Sequence, residues 1–253
     1  MNRIVLITGA TSGIGKACAQ KFAAAHDYVI ITGRRESRLA ELKRELESGF
    51  GIEVLTLCFD VRNRAEVENH LGNLPVKWQA VDILVNNAGL AVGLNSLQAG
   101  DINDWEQMID TNVKGLLYVS RAITPGMAAR KKGHVINIGS IAGKEAYPNG
   151  NVYCATKFAV DALTKGLRMD TVKDGIRVTQ IAPGAVETEF SMVRFKGDAA
   201  RADGVYQGFV PLKADDVADA VVYVASLPDH VNINDMVIMP TAQASAAIID
   251  KSL

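Results

Sequence analysis

The stretch Arg3-Ile4-Val5-Leu6-Ile7-Thr8 runs without a break into Gly9-Ala10-Thr11-Ser12-Gly13-Ile14-Gly15. Apolar residues at helical spacing follow at Ala17, Cys18, Phe22 and Ala25. A continuous apolar run rich in β-branched residues reads as a strand buried on both faces. Strand, glycine turn and helix in this order form the opening unit of a parallel α/β sheet. Glycines allow close backbone approach to a pyrophosphate, and a helix N-terminus offers free N–H groups and positive potential. The turn therefore predicts a dinucleotide site. Its spacing is Gly-x-x-x-Gly-x-Gly, not the commoner Gly-x-Gly-x-x-Gly, and an ordinary turn between strand and helix is the plainer alternative.

Residues 28–32 read as a second strand ending in Gly33-Arg34-Arg35. An acidic residue there would hold a ribose 2′-hydroxyl and favour NAD. Two arginines stand there instead. Their guanidinium groups match a 2′-phosphate in charge and fork geometry, which favours NADP. Arg34 is the first choice and Arg35 the second; the alternative is that they only begin the charged helix of residues 36–48. Residues 52–59 read as a third strand closed by Asp60-Val61, with Asn63 as N-cap of a helix through Leu71. Asp60 suits an adenine contact or a turn. A fourth strand, residues 81–85, runs into Asn86-Asn87-Ala88-Gly89, which suits a ribose or a tie between strand ends.

Residues 104–130 read as a long helix with Asn112 inside it. Asparagine competes for backbone hydrogen bonds, so a local distortion or a held water is expected there. Residues 134–138 form a fifth strand leading to Gly139-Ser140, and residues 176–181 a sixth closed by Pro183-Gly184. The β-α alternation breaks between residues 185 and 208, a candidate lid containing Arg194, Lys196 and Tyr206. An amphipathic helix at 215–227 and a strand at 235–239 complete the chain. The fold expected is a single doubly wound parallel α/β sheet of about seven strands with helices on both faces. It spans residues 1–253 as one domain, with the lid at about 185–210.

Tyr153 and Lys157 are four residues apart, so on a helix they leave the same face. A free phenol has a pKa of about 10, too high for proton exchange at neutral pH. A neighbouring ammonium favours the phenolate, and bringing it near 7 takes about 4 kcal/mol. Lys157 is one source and a cationic cofactor ring another.

A net charge of -1 points away from nucleic acid and anionic membranes. Cys18, Cys58 and Cys154 lack metal-type spacing and suggest a reduced compartment. The opening apolar run is too short for a signal peptide or membrane span, so the cytoplasm is the default. His26, His70, His134 and His230 show no metal spacing and read as surface or turn residues. Cys154 reads as packing. No Gly-x-Ser-x-Gly turn supports a hydrolase reading of Ser140.

Together, Thr8 to Gly15, Asn86-Asn87-Ala88-Gly89, Asn112, Ser140, Tyr153-Cys154-Ala155-Thr156-Lys157 and Pro183-Gly184-Ala185-Val186-Glu187-Thr188 resemble the short-chain dehydrogenase/reductase family. The resemblance covers essentially the whole chain and implies a Rossmann fold. It implies that Tyr153 is the general acid/base while hydride moves to or from nicotinamide. Ser140 would bond the substrate oxygen. Lys157 would bind the nicotinamide ribose and lower the Tyr153 pKa, and Asn112 would hold a water linking Lys157 to solvent. The implied cofactor contacts are Gly9, Thr11, Ser12, Gly13, Ile14, Gly15, Arg34, Arg35, Asp60, Val61, Asn87, Tyr153, Lys157, Pro183, Gly184, Val186 and Thr188.

Further segments look like the NADP-dependent 3-hydroxy acid dehydrogenase branch, which includes serine and allo-threonine dehydrogenases and malonic semialdehyde reductases. They are Leu74-Pro75 with Trp78, residues 82–91, 104–112, 150–153, 193–198 and 230–234. The implied reaction oxidises a small 3-hydroxy acid to a 3-oxo acid or semialdehyde, with relatives mostly homotetramers. A substrate carboxylate wants a cation near the lid. Arg194 is the first candidate, beside Ser140 and Tyr153, and Lys196 the second. Alternatively, Arg194 contacts cofactor phosphates or another subunit. A general carbonyl or 3-ketoacyl reductase is the competing activity, and a non-catalytic NADP sensor the competing class.

Overall fold

The structure, a computed structural model, describes residues 2–252. The chain alternates through β1 (Ile4–Ile7), α1 (Gly13–Ala24), β2 (Tyr28–Gly33), α2 (Glu36–Phe50), β3 (Val54–Cys58), α3 (Arg64–Gly72) and β4 (Ile83–Asn86). It continues through α4 (Ile102–Ile109), α5 (Leu116–Arg130), β5 (Gly133–Ile138), α6 (Asn151–Thr171) and β6 (Ile176–Pro183). The last part holds β7 (Val186–Glu187), α7 (Phe190–Arg194), α8 (Ala199–Gly204), β8 (Leu212–Lys213), α9 (Ala214–Ser226) and β9 (Asp235–Ile238). Among the described residues, seven strands form one parallel sheet in the order β3-β2-β1-β4-β5-β6-β9. This is the doubly wound Rossmann arrangement.

Strand alternation divides the core. Val5 and Ile7 point to the face covered by α1, α2 and α9, where Phe22, Leu46 and Val221 are fully buried. Ile4 and Leu6 point to the other face, against Val67 of α3 and Val119 and Met127 of α5. This is the two-residue period of a pleated strand covered on both sides. At the third strand the chain reverses direction across the sheet, so β1 lies between β2 and β4. Ligands bind at such a switch point, outside the carboxyl ends of the strands. Thr8 stitches these ends together. Its Oγ1 accepts from the Asn87 and Ala88 amides at 3.0 and 2.9 Å, and Asn87 Nδ2 donates to the Thr8 carbonyl at 2.8 Å.

The expected distortion near Asn112 is a π-helical stretch, Asp110–Gly115, between α4 and α5. Asn63 caps α3 as expected, accepting from the Ala65 and Glu66 amides. The irregular region has more order than its sequence suggests. β7 and β8 pair in a small parallel sheet, and α7 and α8 lie between them. No helix among the described residues is long and apolar enough to cross a membrane.

His134 corrects the expectation of a surface or turn residue. It lies on the interior strand β5, is almost fully buried, and its Nε2 pairs with Thr179 Oγ1 at 2.8 Å. Burial, with Arg177 and Arg3 adding repulsion, pushes its pKa down to about 3. The folded pKa therefore lies below the unfolded value of about 6.5. The unfolded state binds more protons between these values, so stability falls as pH falls through this window. His134→Gln removes that uptake. Urea unfolding should show the wild-type minus variant stability falling by about 2 kcal/mol from pH 6.5 to 5. A constant difference would show that His134 is not held neutral.

Candidate active site

The switch point opens into a cleft of about 320 Å³ above the carboxyl ends of β1, β4, β5 and β6. It brings together most of the residues expected from sequence, Gly9, Ser140, Tyr153, Lys157 and Thr188 among them. Gly13, Gly15, Asn112 and Arg194 are not among its lining residues, and Gly13 lines an adjoining groove. Ala88, Gly89, Leu90, Glu189, Phe190 and Val193 also line it.

Steric constraints explain the glycine turn. Gly9 and Gly13 have φ of 67° and 51°, in the left-handed region that side chains disfavour. A Cβ at Gly15 would run into the Asn87 amide and the Gly9 carbonyl, so Gly15 lets α1 pack against the β4 end. The N-cap residue of α1, Ser12, makes no side-chain capping hydrogen bond. The first amides of the helix remain available to an anion. Arg35 closes the turn, with Nη2 donating to Thr11 Oγ1 and Ser12 Oγ, each at 2.8 Å. Arg34 points the other way, 3.8 Å from Asp60 and more than half exposed. Asp60 braces its own turn by accepting from the Arg62 amide and side chain. Arg34, Arg35 and Arg38 stand at this end with Asp60 and Glu189 beside them, and β2 ends without an acidic residue. Charge and shape together fit an adenosine with an extra phosphate.

At the other end α6 carries Tyr153 and Lys157, which are 8% and 7% exposed. They share a helix face as their spacing required, with Lys157 Nζ 5.9 Å from the Tyr153 ring centroid. Lys157 Nζ donates to the Ile138 carbonyl at 2.9 Å. Ser140 projects from the turn after β5, where its Oγ accepts from the Ala142 amide. Asn112 clamps the neighbouring loop. Its Nδ2 donates to the Leu90 carbonyl at 2.8 Å and to Thr156 Oγ1 at 3.0 Å, while Oδ1 accepts from the Leu90 amide at 2.8 Å. Both side-chain donors are thus committed to protein. Gly89 lies between Asn112 and Lys157, where a Cβ would be 3.3 Å from one and 3.7 Å from the other.

The electrostatics differ from the simple expectation that Lys157 lowers the Tyr153 pKa. Burial pushes the Tyr153 phenol well above its usual value, reinforced by Tyr147 and opposed by Arg194 and the Ser140 hydroxyl. Burial also pushes the Lys157 ammonium down to about 8. Lys157 is therefore neutral in the range where a phenol of raised pKa would ionise. Arg194 has no such limit, because a guanidinium stays charged. It lies 5.1 Å from the Tyr153 ring centroid and 5.7 Å from those of Tyr147 and Phe190. Its Nη2 donates to the Tyr147 hydroxyl, while its buried Nε has no partner among the described residues.

Several functional neighbours escaped the sequence reading. Tyr147 holds Arg194, Thr156 holds Asn112, and Gln243 Oε1 accepts from the Ala185 amide at 2.7 Å behind the loop of residues 183–188. Glu189 ion-pairs with Arg35 and Arg38. Only the polarity of these residues hinted at a role. Lys196 turns away from the cleft to Asp104, at 2.9 Å. Cys154 packs with Tyr153 in a small core that also holds Leu90, Met108 and Ala142.

The family model described as short chain dehydrogenase matches residues 3–199. The chain belongs to the short chain dehydrogenase family. It is 50% identical over 246 residues to the NADP-dependent 3-hydroxy acid dehydrogenase of Escherichia coli strain K12, covering 97% of this chain and 98% of the relative. It is 47% identical over 253 residues to sulfoacetaldehyde reductase 2 of Chromohalobacter salexigens, covering 99% of this chain and 100% of the relative. Among solved structures, the closed form of serine dehydrogenase complexed with NADP+ matches with a TM-score of 0.91 at 50% identity, covering 97% of this chain and 98% of that one. Short chain dehydrogenases are oxidoreductases, and the buried tyrosine, serine and lysine of this member stand in one cleft.

Burial of Lys157 leads to a stability test. Its folded pKa of about 8 lies below the unfolded value of about 10.4, so the unfolded state binds more protons in between. Stability therefore rises with pH across that window, and the penalty is fully present below it. Lys157→Met removes the penalty, about 3 kcal/mol, but loses a hydrogen bond of about 1 kcal/mol. The variant should be about 2 kcal/mol more stable than wild type at pH 7 by urea unfolding, with the gain gone by pH 10.5. A destabilised variant at pH 7 would contradict the burial penalty.

Proposed function

We propose that the chain is an NADP-dependent oxidoreductase that interconverts a small 3-hydroxy acid and its 3-oxo acid or semialdehyde. The observation that carries the substrate class is Arg194. Its guanidinium stands over the Tyr153 ring with a buried Nε that has no partner among the described residues. A cation beside a proton-transfer group suits a substrate whose acid group lies two or three bonds from the reacting carbon. The names of two relatives covering nearly the whole chain describe such substrates, one a 3-hydroxy acid and one a sulfonated aldehyde.

Gly9, Thr11, Ser12, Gly13 and Ile14 would take the pyrophosphate. Arg34 and Arg35 would take the 2′-phosphate, with Asp60 and Val61 beside the adenine and Asn87 at the ribose. Pro183, Gly184, Val186 and Thr188 would hold the nicotinamide end. When bound, NADP supplies the hydride acceptor or donor.

The side chains manage the proton. In oxidation Tyr153 Oη takes the substrate hydroxyl proton, and in reduction it returns one to the carbonyl oxygen. Ser140 Oγ donates to that oxygen and stabilises its developing charge. Lys157 bonds the nicotinamide ribose. Asn112 positions the Leu90 loop against α6 and stands near Lys157, where a relay to solvent would pass. Residues 185–210 serve as a lid on one domain of residues 1–253. A cytoplasmic homotetramer completes the reading, supported by the free state of Cys18, Cys58 and Cys154 and by family resemblance.

Nicotinamide absorbance with L-serine, L-allo-threonine, 3-hydroxyisobutyrate and the sulfonate analogue tests this. Turnover should appear with NADP, and Arg194→Ala should raise KM for the acids about 10- to 100-fold. An uncharged alcohol should be affected far less. Tyr153→Phe should abolish turnover and leave NADP binding intact. Good turnover of uncharged ketones without any of the acids would favour a general carbonyl reductase. Tight NADP binding without turnover across the panel would favour a sensor.

A further inference from the structure

Glu189 is an acidic residue at the end of the cleft where anions should bind. It is the residue before α7 and lines both the main cleft and a second groove of about 310 Å³ bounded by Thr11, Lys16 and Arg38. Thr11 and Ser12 line both as well, so these three residues border the two. Its Oε2 accepts from Arg35 Nη1 at 3.0 Å and its Oε1 from Arg38 Nη1 at 2.7 Å. Arg35 also grips the Thr11 and Ser12 hydroxyls of the glycine turn. Glu189 thus completes a ring that joins the turn, the start of α2 and the lid. Burial works to raise its pKa, yet Arg38 and Arg35 hold it below the usual carboxylate value.

We propose that Glu189 is an internal counter-ion that the 2′-phosphate of NADP displaces from Arg35 and Arg38, making Arg38 a third phosphate ligand and Glu189 a determinant of cofactor choice. This rests on the NADP reading above. A phosphate monoester carries about -1.5 to -2 near pH 7 and offers three acceptor oxygens, against one charge and two oxygens for a carboxylate. Two anions cannot share the same guanidinium forks without mutual repulsion. The stronger acceptor therefore takes the arginines. A cofactor without that phosphate has no group to exchange with Glu189.

Displacement also reaches the other end of the cleft. Glu189 leads directly into α7, which carries Phe190 and Arg194. The Phe190 ring meets Tyr153 edge-on at 5.7 Å, and Arg194 lies over the same ring. Thr188, the preceding residue, lies against the glycine turn, where a Cβ on Gly13 would approach it to 3.3 Å. Freeing the carboxylate loosens the start of α7 while Thr188 stays beside the turn. Phosphate occupancy at the adenosine end thereby changes the restraint on two residues that pack against the tyrosine ring.

The test uses adenosine 2′,5′-bisphosphate and adenosine 5′-monophosphate as probes in titration calorimetry on the full chain. Wild type should bind the bisphosphate more tightly. Glu189→Gln, an exposed and nearly isosteric change, should tighten the bisphosphate about three- to tenfold and leave the monophosphate unchanged. Arg38→Met should weaken the bisphosphate by a similar factor, again without effect on the monophosphate. Hydrogen exchange at residues 190–194 should rise when wild type binds the bisphosphate, and should already be raised in free Glu189→Gln. If wild type prefers the bisphosphate but Glu189→Gln binds it equally or more weakly, the counter-ion role is overturned and the NADP reading stands. If wild type shows no preference, both fall together.

Discussion

Burial of Tyr153 and Lys157 governs the chemistry available in the cleft. A low-polarity environment favours the neutral form of each group, so it drives their pKa values in opposite directions. The phenol becomes harder to ionise while the ammonium, brought down to about 8, becomes easier to discharge. A pair that looks self-sufficient on a helical wheel is thus not self-sufficient in place. The phenolate needs positive charge that burial does not neutralise. Arg194, 5.1 Å from the Tyr153 ring centroid, is one cation at hand, and an oxidised nicotinamide would be another. In the proposed reaction the same guanidinium would also hold the acid group of the substrate.

The sheet makes that burial possible. Thr8 and Asn87 bind the ends of β1 and β4, so the switch point is rigid where the chain must leave it on both sides. The π-helical stretch rotates Asn112 into reach of both Leu90 and Thr156, which fixes the loop after β4 to α6. Lys157 is then tied to the end of β5 through the Ile138 carbonyl. Four segments distant in sequence meet at one buried point, and each supplies a group to it. Small residues permit the approach, as Gly89 does between Asn112 and Lys157.

Much of this was legible in the residues themselves. Interior strands announce themselves by apolar runs, and the glycine turn by its position between a strand and a helix. Asn112 marked the helical distortion because its side chain competes with the backbone. Partners brought together only by folding were invisible. Glu189 lies 151 positions from Arg38, and nothing local relates them. Tyr147 sits in a loop, and Gln243 near the chain end supports the backbone of Ala185. His134 misled because a histidine at the start of a strand reads as exposed until Thr179 is seen beside it. The pKa of Tyr153 misled for a related reason: spacing shows the neighbouring lysine but not the depth at which both lie.

A titration of Tyr153 itself probes this balance most directly. Tyrosine labelled with ¹³C at Cζ reports ionisation by its shift, and Tyr153→Phe assigns the resonance. In the free protein the Tyr153 signal should show no ionisation at or below pH 10. With saturating NADP+ its transition should move below 10, the direction that added positive charge requires. A free-protein transition near 7 would contradict the dominance of burial and return the role of activating cation to Lys157.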